Sequence, residues 1–406
     1  MRETKGNRLN ITIYGRRNVG KSTIFNLILG TDFSIVSNIK GTTTDSIRKA
    51  MELEPFGAIS LVDSAGFDDI NALGKLRVEK TKKTLMQAEV ALFICDSEGL
   101  KEDDFKFLEL IKNFKIPSIL IINKQDEEKI SKEKLEEAKK HFNSYILTSA
   151  KNATRDDFLK LLKNSLRLVL EDAKNTPVSA IPENIQKGDL VVLVIPLDKA
   201  APKGRLILPQ VQILRELLDK GCVAVCVGVD ELEYAIKNSI TRPKLVIVDS
   251  QVFGAVEKII PKDMLLTSFS CLFANLKGDI DEFVTGANKL DNLQDDDKIL
   301  ILESCTHHAT DDDIGRVKIP NLIKKYTGKN VIFEHFSGCD FPDVSTYSLV
   351  VHCGACMTNR KEILNRIKIC KELNVPITNY GIIISKCLGI LERAIEVFKI
   401  DTQPEK

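Results

Sequence analysis

Residues 15–22 read Gly15-Arg16-Arg17-Asn18-Val19-Gly20-Lys21-Ser22 and follow the apolar run Ile11-Thr12-Ile13-Tyr14. A GxxxxGKS string between a strand and a helix turns consecutive backbone N–H groups toward an anionic phosphate chain. The positive end of the following helix adds to that field. Lys21 is expected to reach the β- and γ-phosphates, and Ser22 to ligate Mg²⁺, with Val19, Gly20 and Thr23 completing the cradle. The alternative is a glycine-rich turn with a chance lysine.

Four further segments, in the order a guanine-nucleotide site requires, argue against that alternative. Asp63-Ser64-Ala65-Gly66 ends an apolar strand; Asp63 is expected to hold the Mg²⁺ shell and Gly66 to present its N–H to the γ-phosphate. Asn123-Lys124-Gln125-Asp126 follows the run Ile116–Ile122. Asp126 is expected, as a buried carboxylate, to accept from N1–H and the N2 amino group of guanine. Adenine lacks both donors, so the site would reject ATP. Ser149-Ala150-Lys151 closes the base pocket. Gly41-Thr42-Thr43-Thr44-Asp45 lies between the P-loop and Asp63, where a switch threonine belongs; Thr43 is assigned to Mg²⁺, with Thr42 as the alternative.

Around these motifs, apolar runs alternate with amphipathic stretches. Strands are expected at 9–14, 58–63, 90–95, 117–122 and 144–148, and helices at 21–29, 72–87, 102–113, 131–141 and 153–170. Such alternation predicts an α/β fold with a mostly parallel sheet covered on both faces. The expected organisation is a P-loop GTPase domain over 1–173, a linker over 174–188 containing Pro177 and Pro182, and two further α/β regions, 189–290 and 291–406. Single helices are expected at 268–290 and 380–398.

Charge is balanced, 58 basic against 57 acidic side chains with a net charge of +1. It gives no case for nucleic acid or an anionic membrane as partner. No apolar run reaches transmembrane length, and the charged start passes straight into a strand, so cytoplasmic residence is expected.

The nucleotide motifs resemble the TrmE and Era class of GTPases over residues 8–170, although Thr44 stands where that class often has Arg. Phe67, after the DSAG string, cannot orient water by hydrogen bonding as a glutamine would. Asn18 matches an asparagine that helps hold a monovalent cation in potassium-dependent members. The resemblance therefore implies slow hydrolysis of GTP, stimulated by K⁺ through Asn18, with loop shaping as the plainer role for that residue.

Ten cysteines in a reducing compartment do not suggest a disulfide framework. Cys305-Thr306-His307 and His352-Cys353-Gly354-Ala355-Cys356 each follow an apolar strand, and such strand ends converge on a crevice in an open α/β sheet. The spacing allows a Cys₃His zinc site, three ligands of a [4Fe–4S] cluster, or plain buried thiols. Cys95, Cys222 and Cys226 read as buried strand residues, Cys271, Cys370 and Cys387 as helix packing, and Cys339 as a loop residue. Asp311, Asp312 and Asp313 read as a solvated run.

The combination of a TrmE-like domain, a middle α/β region and a CxH…HCxxC pair resembles the HydF family of [FeFe]-hydrogenase maturation GTPases. This resemblance implies a [4Fe–4S] cluster on Cys305, Cys353 and Cys356 with an exchangeable fourth position. His307 and His352 match the family's motif histidines, as ligands or as partners of ligands; for His352 the partner role is preferred. It also implies a homodimer formed through 189–290, and a scaffold that takes a diiron precursor made with two radical-SAM maturases and delivers it to apo-[FeFe]-hydrogenase. The competing expectation is a ribosome- or tRNA-associated GTPase with a zinc-binding C-terminal domain.

Overall fold

The alternation of buried runs and amphipathic stretches is realised as three sheets. The computed structural model describes residues 5–30, 47–64, 83–172, 179–196, 206–304, 314–338, 340–355 and 358–399. The chain divides into two compact units, Met1–Pro177 and Val178–Lys406.

The first unit is built on strands β1 (Leu9–Gly15), β2 (Ile47–Glu52), β3 (Ala58–Asp63), β4 (Val90–Cys95), β5 (Ser118–Ile122) and β6 (Ser144–Leu147). Their order is β2-β3-β1-β4-β5-β6. Among the described strands only β2 runs antiparallel, beside β3. Helices α1 (Lys21–Leu29) and α4 (Arg155–Asp172) share one face, α2 (Glu102–Asn113) and α3 (Lys132–Lys139) the other. The two-residue period of a strand sorts side chains between these faces. In β4, Leu92 and Ile94 join the α1/α4 core, while Ala91, Phe93 and Cys95 join the α2/α3 core. Strand β2 was not expected. Its sequence, IRKAME, lies mostly exposed at an edge and lacks the apolar run that marks buried strands.

The second unit contains two parallel four-stranded sheets. Strands β7 (Leu190–Val194), β8 (Val223–Val227), β9 (Leu245–Val248) and β10 (Leu265–Ser268) lie in the order β10-β9-β7-β8. Strands β11 (Lys298–Glu303), β12 (Ile332–Ser337), β13 (Leu349–His352) and β14 (Ile377–Asn379) lie in the order β12-β11-β13-β14. The helices are α5 (Leu208–Asp219), α6 (Leu232–Lys237), α7 (Phe253–Val256), α8 (Phe269–Lys277), α9 (Ile280–Ala287), α10 (Ile319–Thr327), α11 (Arg360–Glu372), α12 (Tyr380–Cys387) and α13 (Leu391–Lys399).

The two longest helices expected in this unit, at 268–290 and 380–398, are each two. The first breaks at Gly278, where a Cβ would strike the Phe283 ring, and Asp279 then caps α9 by accepting from the N–H groups of Asp281 and Glu282. The second breaks after Cys387 and resumes at Leu391. These helices knit the sheets together. The last, α13, lies on β10, with Thr267 Oγ1 donating to the Ala394 carbonyl at 2.7 Å. Helix α9 lies on β14, its Gly286 backbone seated against Ile377. One core contains Val192 and Val246 together with Leu300, Leu302 and Val350. Ala180, Ile181 and Ile185 are buried in this unit, in the segment read from sequence as linker.

Among the described residues β8 is paired on one side only, and Val223 and Cys226 on it are exposed. No described helix is long and apolar enough to cross a membrane.

Candidate functional site

A cavity of about 510 Å³ opens at the carboxyl ends of β1 and β5, lined by Asn18, Gly20, Lys21, Ser22, Thr23, Asn123, Lys124, Asp126, Glu127, Ser149, Ala150 and Lys151. Eleven of these twelve were singled out from sequence; Glu127 was missed. Val19 is buried beneath the loop and contributes backbone. Asn18 and Lys124 have φ near 60°, a conformation that asparagine tolerates better than most residues, so Asn18 has a backbone reason to be there as well.

Asn123 organises the cavity floor. Its Nδ2 donates to the Val19 carbonyl at 3.0 Å, and its Oδ1 accepts from the Ala150 N–H at 2.9 Å. Gly20, at φ 97°, packs so closely on this amide that a Cβ would strike it. Asp126 lies exposed on the rim, not buried as expected, because the base side of the cavity is open to solvent.

Ser22 Oγ donates to Asp63 Oδ2 at 3.0 Å, so two oxygen donors from α1 and β3 meet beside the P-loop. The other oxygen, Asp63 Oδ1, is buried with no hydrogen-bond partner among the described residues. Burial pushes the Asp63 carboxyl above its usual range, against the hydrogen bond from Ser22 and the charge of Lys21. An orphaned carboxylate oxygen next to a hydroxyl fits a hard divalent cation such as Mg²⁺. Lys21 Nζ donates to the Arg16 carbonyl at 2.6 Å. Arg16 itself is anchored away from the cavity: Nε donates to Asp104 Oδ2 at 3.0 Å and Nη2 to the Gly99 carbonyl at 3.1 Å. Thr42, Thr43, Gly66 and Phe67 lie outside the described residues.

The second expected site lies at the carboxyl ends of β11 and β13. These strands are neighbours, with Leu302 opposite His352. In sequence Cys305 follows β11 by two residues and Cys353 follows β13 directly, so the strands that precede the two motifs are neighbours in the sheet. Across that junction the Ser304 N–H donates to Cys353 Sγ at 3.3 Å. Cys305, His307, Asp311, Asp312, Asp313, Cys339 and Cys356 lie outside the described residues. No group of three metal-binding side chains occurs among the described residues.

His352 is fully engaged in protein contacts. Its Nε2 lies 2.7 Å from Arg366 Nη1 and 3.2 Å from Ser304 Oγ, and its Nδ1 lies 2.7 Å from the Cys353 carbonyl. Arginine can only donate, so Nε2 accepts and Nδ1 carries the proton that the carbonyl receives. Burial, with the Arg366 charge second, pushes the imidazole down to about 3, so the ring is neutral. Both ring nitrogens are therefore occupied by protein partners. Arg366, Glu362 and Ser304 were missed from sequence. The available signal was spacing: Ile363, Arg366, Ile367 and Cys370 form one helical stripe, which puts an arginine among core positions.

Of the other thiols, Cys95, Cys222, Cys271 and Cys370 are buried as expected, whereas Cys226 is exposed because its strand is an edge.

The sheet order, the P-loop and the base-side motifs define the first unit as a P-loop GTPase domain of the TrmE/Era type. Residues 10–124 match the family described as 50S ribosome-binding GTPase. GTPase Der of a Nitratiruptor species is 35% identical over 181 residues, which cover 40% of this chain and 38% of that protein. The tRNA modification GTPase MnmE of Carboxydothermus hydrogenoformans is 37% identical over 183 residues, covering 43% and 37%. The chain thus spans less than two fifths of the length of these curated relatives. The solved structure of Aquifex aeolicus Era bound to GDP and aluminium fluoride aligns with a TM-score of 0.34 at 24% identity, covering 54% of this chain and 92% of that one.

The second unit is more particular. Residues 180–278 match the hydrogen maturase F dimerization domain and residues 281–397 the hydrogen maturase F tetramerization domain. These two matches together span more than half of the chain, which belongs to the hydrogen maturase F (HydF) family.

Proposed function

We propose that the chain is a GTP-hydrolysing scaffold that binds a [4Fe–4S] cluster with an exchangeable iron and carries a diiron precursor to apo-[FeFe]-hydrogenase. The observation that carries this reading is the pairing of β11 with β13, whose ends meet at the Ser304 N–H···Cys353 Sγ contact, within a unit of the HydF family. Cys305, Cys353 and Cys356 are the ligands in this reading. Three thiolates leave one iron open to a ligand that can be exchanged; four would close the site. His307 remains a candidate for the weaker contact.

In the nucleotide cavity, Lys21 is assigned to the β- and γ-phosphates and Asp126 to guanine. Ser149, Ala150, Lys151, Asn123 and Lys124 wall the base, while Val19, Gly20 and Thr23 cradle phosphate. Ser22, Asp63 and Thr43 hold Mg²⁺, a fit supported by the orphaned Asp63 Oδ1. Gly66 serves the γ-phosphate. Asn18 helps hold a K⁺ whose charge substitutes for an arginine finger, consistent with Arg16 being anchored elsewhere. The assembly is a homodimer working in the cytoplasm with two radical-SAM maturases, and the exposed apolar edge of β8 supports self-association.

The test is anaerobic reconstitution followed by iron and sulfide analysis and EPR. About four irons per chain are expected, with the signal abolished in the Cys305→Ala/Cys353→Ala/Cys356→Ala variant. A full-strength cluster signal in that variant overturns the reading. Bound zinc with salt-dependent RNA binding instead supports an RNA-associated GTPase.

A further inference from the structure

The side chain of Arg366 is completely buried and contacts two residues that each hold Cys353. Nη1 donates to His352 Nε2 at 2.7 Å and to Ser304 Oγ at 3.0 Å. Each of those residues holds a different part of Cys353: His352 Nδ1 donates to its carbonyl, and the Ser304 N–H points at its sulfur. Glu362, one turn earlier on α11, pairs with Nη2 and keeps the buried charge compensated. The guanidinium also lies 5.4 Å from the centroid of the Phe341 ring, in the segment after β12. One side chain therefore ties together the ends of β11 and β13 and the segment following β12.

We propose that Arg366 is the positioning residue of the cluster site: the contact of its Nη1 with both His352 and Ser304 keeps His352 out of the ligand set and fixes Cys353 toward its cluster. The inference rests on the cluster reading above. It adds a reason why the site stays three-coordinate in protein ligands although an imidazole stands beside the thiol. Were the Nε2 acceptor released, the same ring would have a free lone pair a residue away from the cluster, and imidazole is a competent ligand. A permanently charged donor is suited to prevent this, because arginine cannot deprotonate and cannot itself ligate metal.

The experiment uses the full chain, reconstituted anaerobically with iron and sulfide, reduced, and examined for ¹⁴N couplings by pulsed EPR. The wild-type cluster should show no directly bound nitrogen. Arg366→Met should gain a strong imidazole coupling that disappears when H352A is added. Arg366→Lys, which keeps a cationic donor, should retain the wild-type pattern. If Arg366→Met instead loses half or more of its iron while its far-UV CD is kept, recovery of the iron in Arg366→Lys supports the same role. A bound nitrogen in the wild type that H352A removes overturns the proposal. So does an Arg366→Met variant with wild-type iron content and wild-type nitrogen couplings, or iron loss that Arg366→Lys does not restore. Failure of the wild-type chain to bind iron overturns the cluster reading itself, and is visible before any variant is compared.

Discussion

Asn123 hydrogen-bonds the carbonyl of Val19 at 3.0 Å, joining the loop after β5 to the P-loop. The same side chain accepts from the Ala150 N–H, so one buried amide sets the spacing between the phosphate end and the base end of the cavity. Asn123→Ala leaves both backbone groups without that partner, at roughly 1–3 kcal/mol for each buried group. A fall of about tenfold or more in GDP affinity is expected. Titration with a fluorescent nucleotide reads it, and unchanged affinity contradicts the bridging role.

Asp126→Asn replaces an acceptor-only carboxylate with an amide that presents a donor to the base. GTP affinity should fall by at least about 100-fold. Xanthosine triphosphate, which carries an oxygen where guanine carries its N2 amino group, should regain much of the loss. Competition binding with the two nucleotides decides, and an unchanged preference for GTP removes Asp126 from the base contact.

Asn18 has two possible reasons for its place, a cation contact and a left-handed backbone, and they can be separated. Asn18→Gly keeps the φ of 61° accessible and deletes the side-chain carbonyl. Turnover in KCl should exceed that in NaCl for the wild type, and the difference should vanish in the variant. Equal wild-type rates in the two salts refute potassium assistance.

The edge of β8 makes a prediction about assembly. Val223→Lys with Cys226→Lys places charges on an exposed strand edge, a change that blocks edge pairing while leaving the interior untouched. Sedimentation should shift toward the monomer, with GTP turnover retained. An unchanged sedimentation profile moves the interface elsewhere.

Breaking the Arg366–Glu362 pair strands a buried carboxylate. Arg366→Met should destabilise by about 3–5 kcal/mol, and adding Glu362→Leu should recover most of that, since a packed apolar pair can replace a buried ion pair. Calorimetry of the single and double variants measures the coupling. Additive losses indicate that the two side chains do not act together.

The nucleotide site was legible because its chemistry is local: a strand, a glycine-permitted loop and a helix N-terminus are consecutive in the chain. Ser22 and Asp63 are 41 positions apart, yet each was identified by its own motif, and the fold brings them to 3.0 Å. The failures involve long-range context. Strand β2 and Cys226 sit on edges, where the pattern of a buried run does not apply. Asp126 was set in a buried pocket that is open on its base side. Arg366 belongs to no motif, and only its place in an apolar helical stripe marks it as interior. The helix break at Gly278 rests on contact with Phe283 and on the Asp279 cap, both invisible to a period count.

The central claim is that GTP turnover and cluster chemistry are separate parts of one carrier. It is tested most directly by activation of apo-[FeFe]-hydrogenase with the loaded protein, repeated with Asp63→Asn and Cys305→Ala. The loaded wild type should activate; Cys305→Ala should fail to activate while still hydrolysing GTP, and Asp63→Asn should keep its iron but lose on the order of 100-fold in turnover. Wild-type activation by the Cys305→Ala protein would contradict the account.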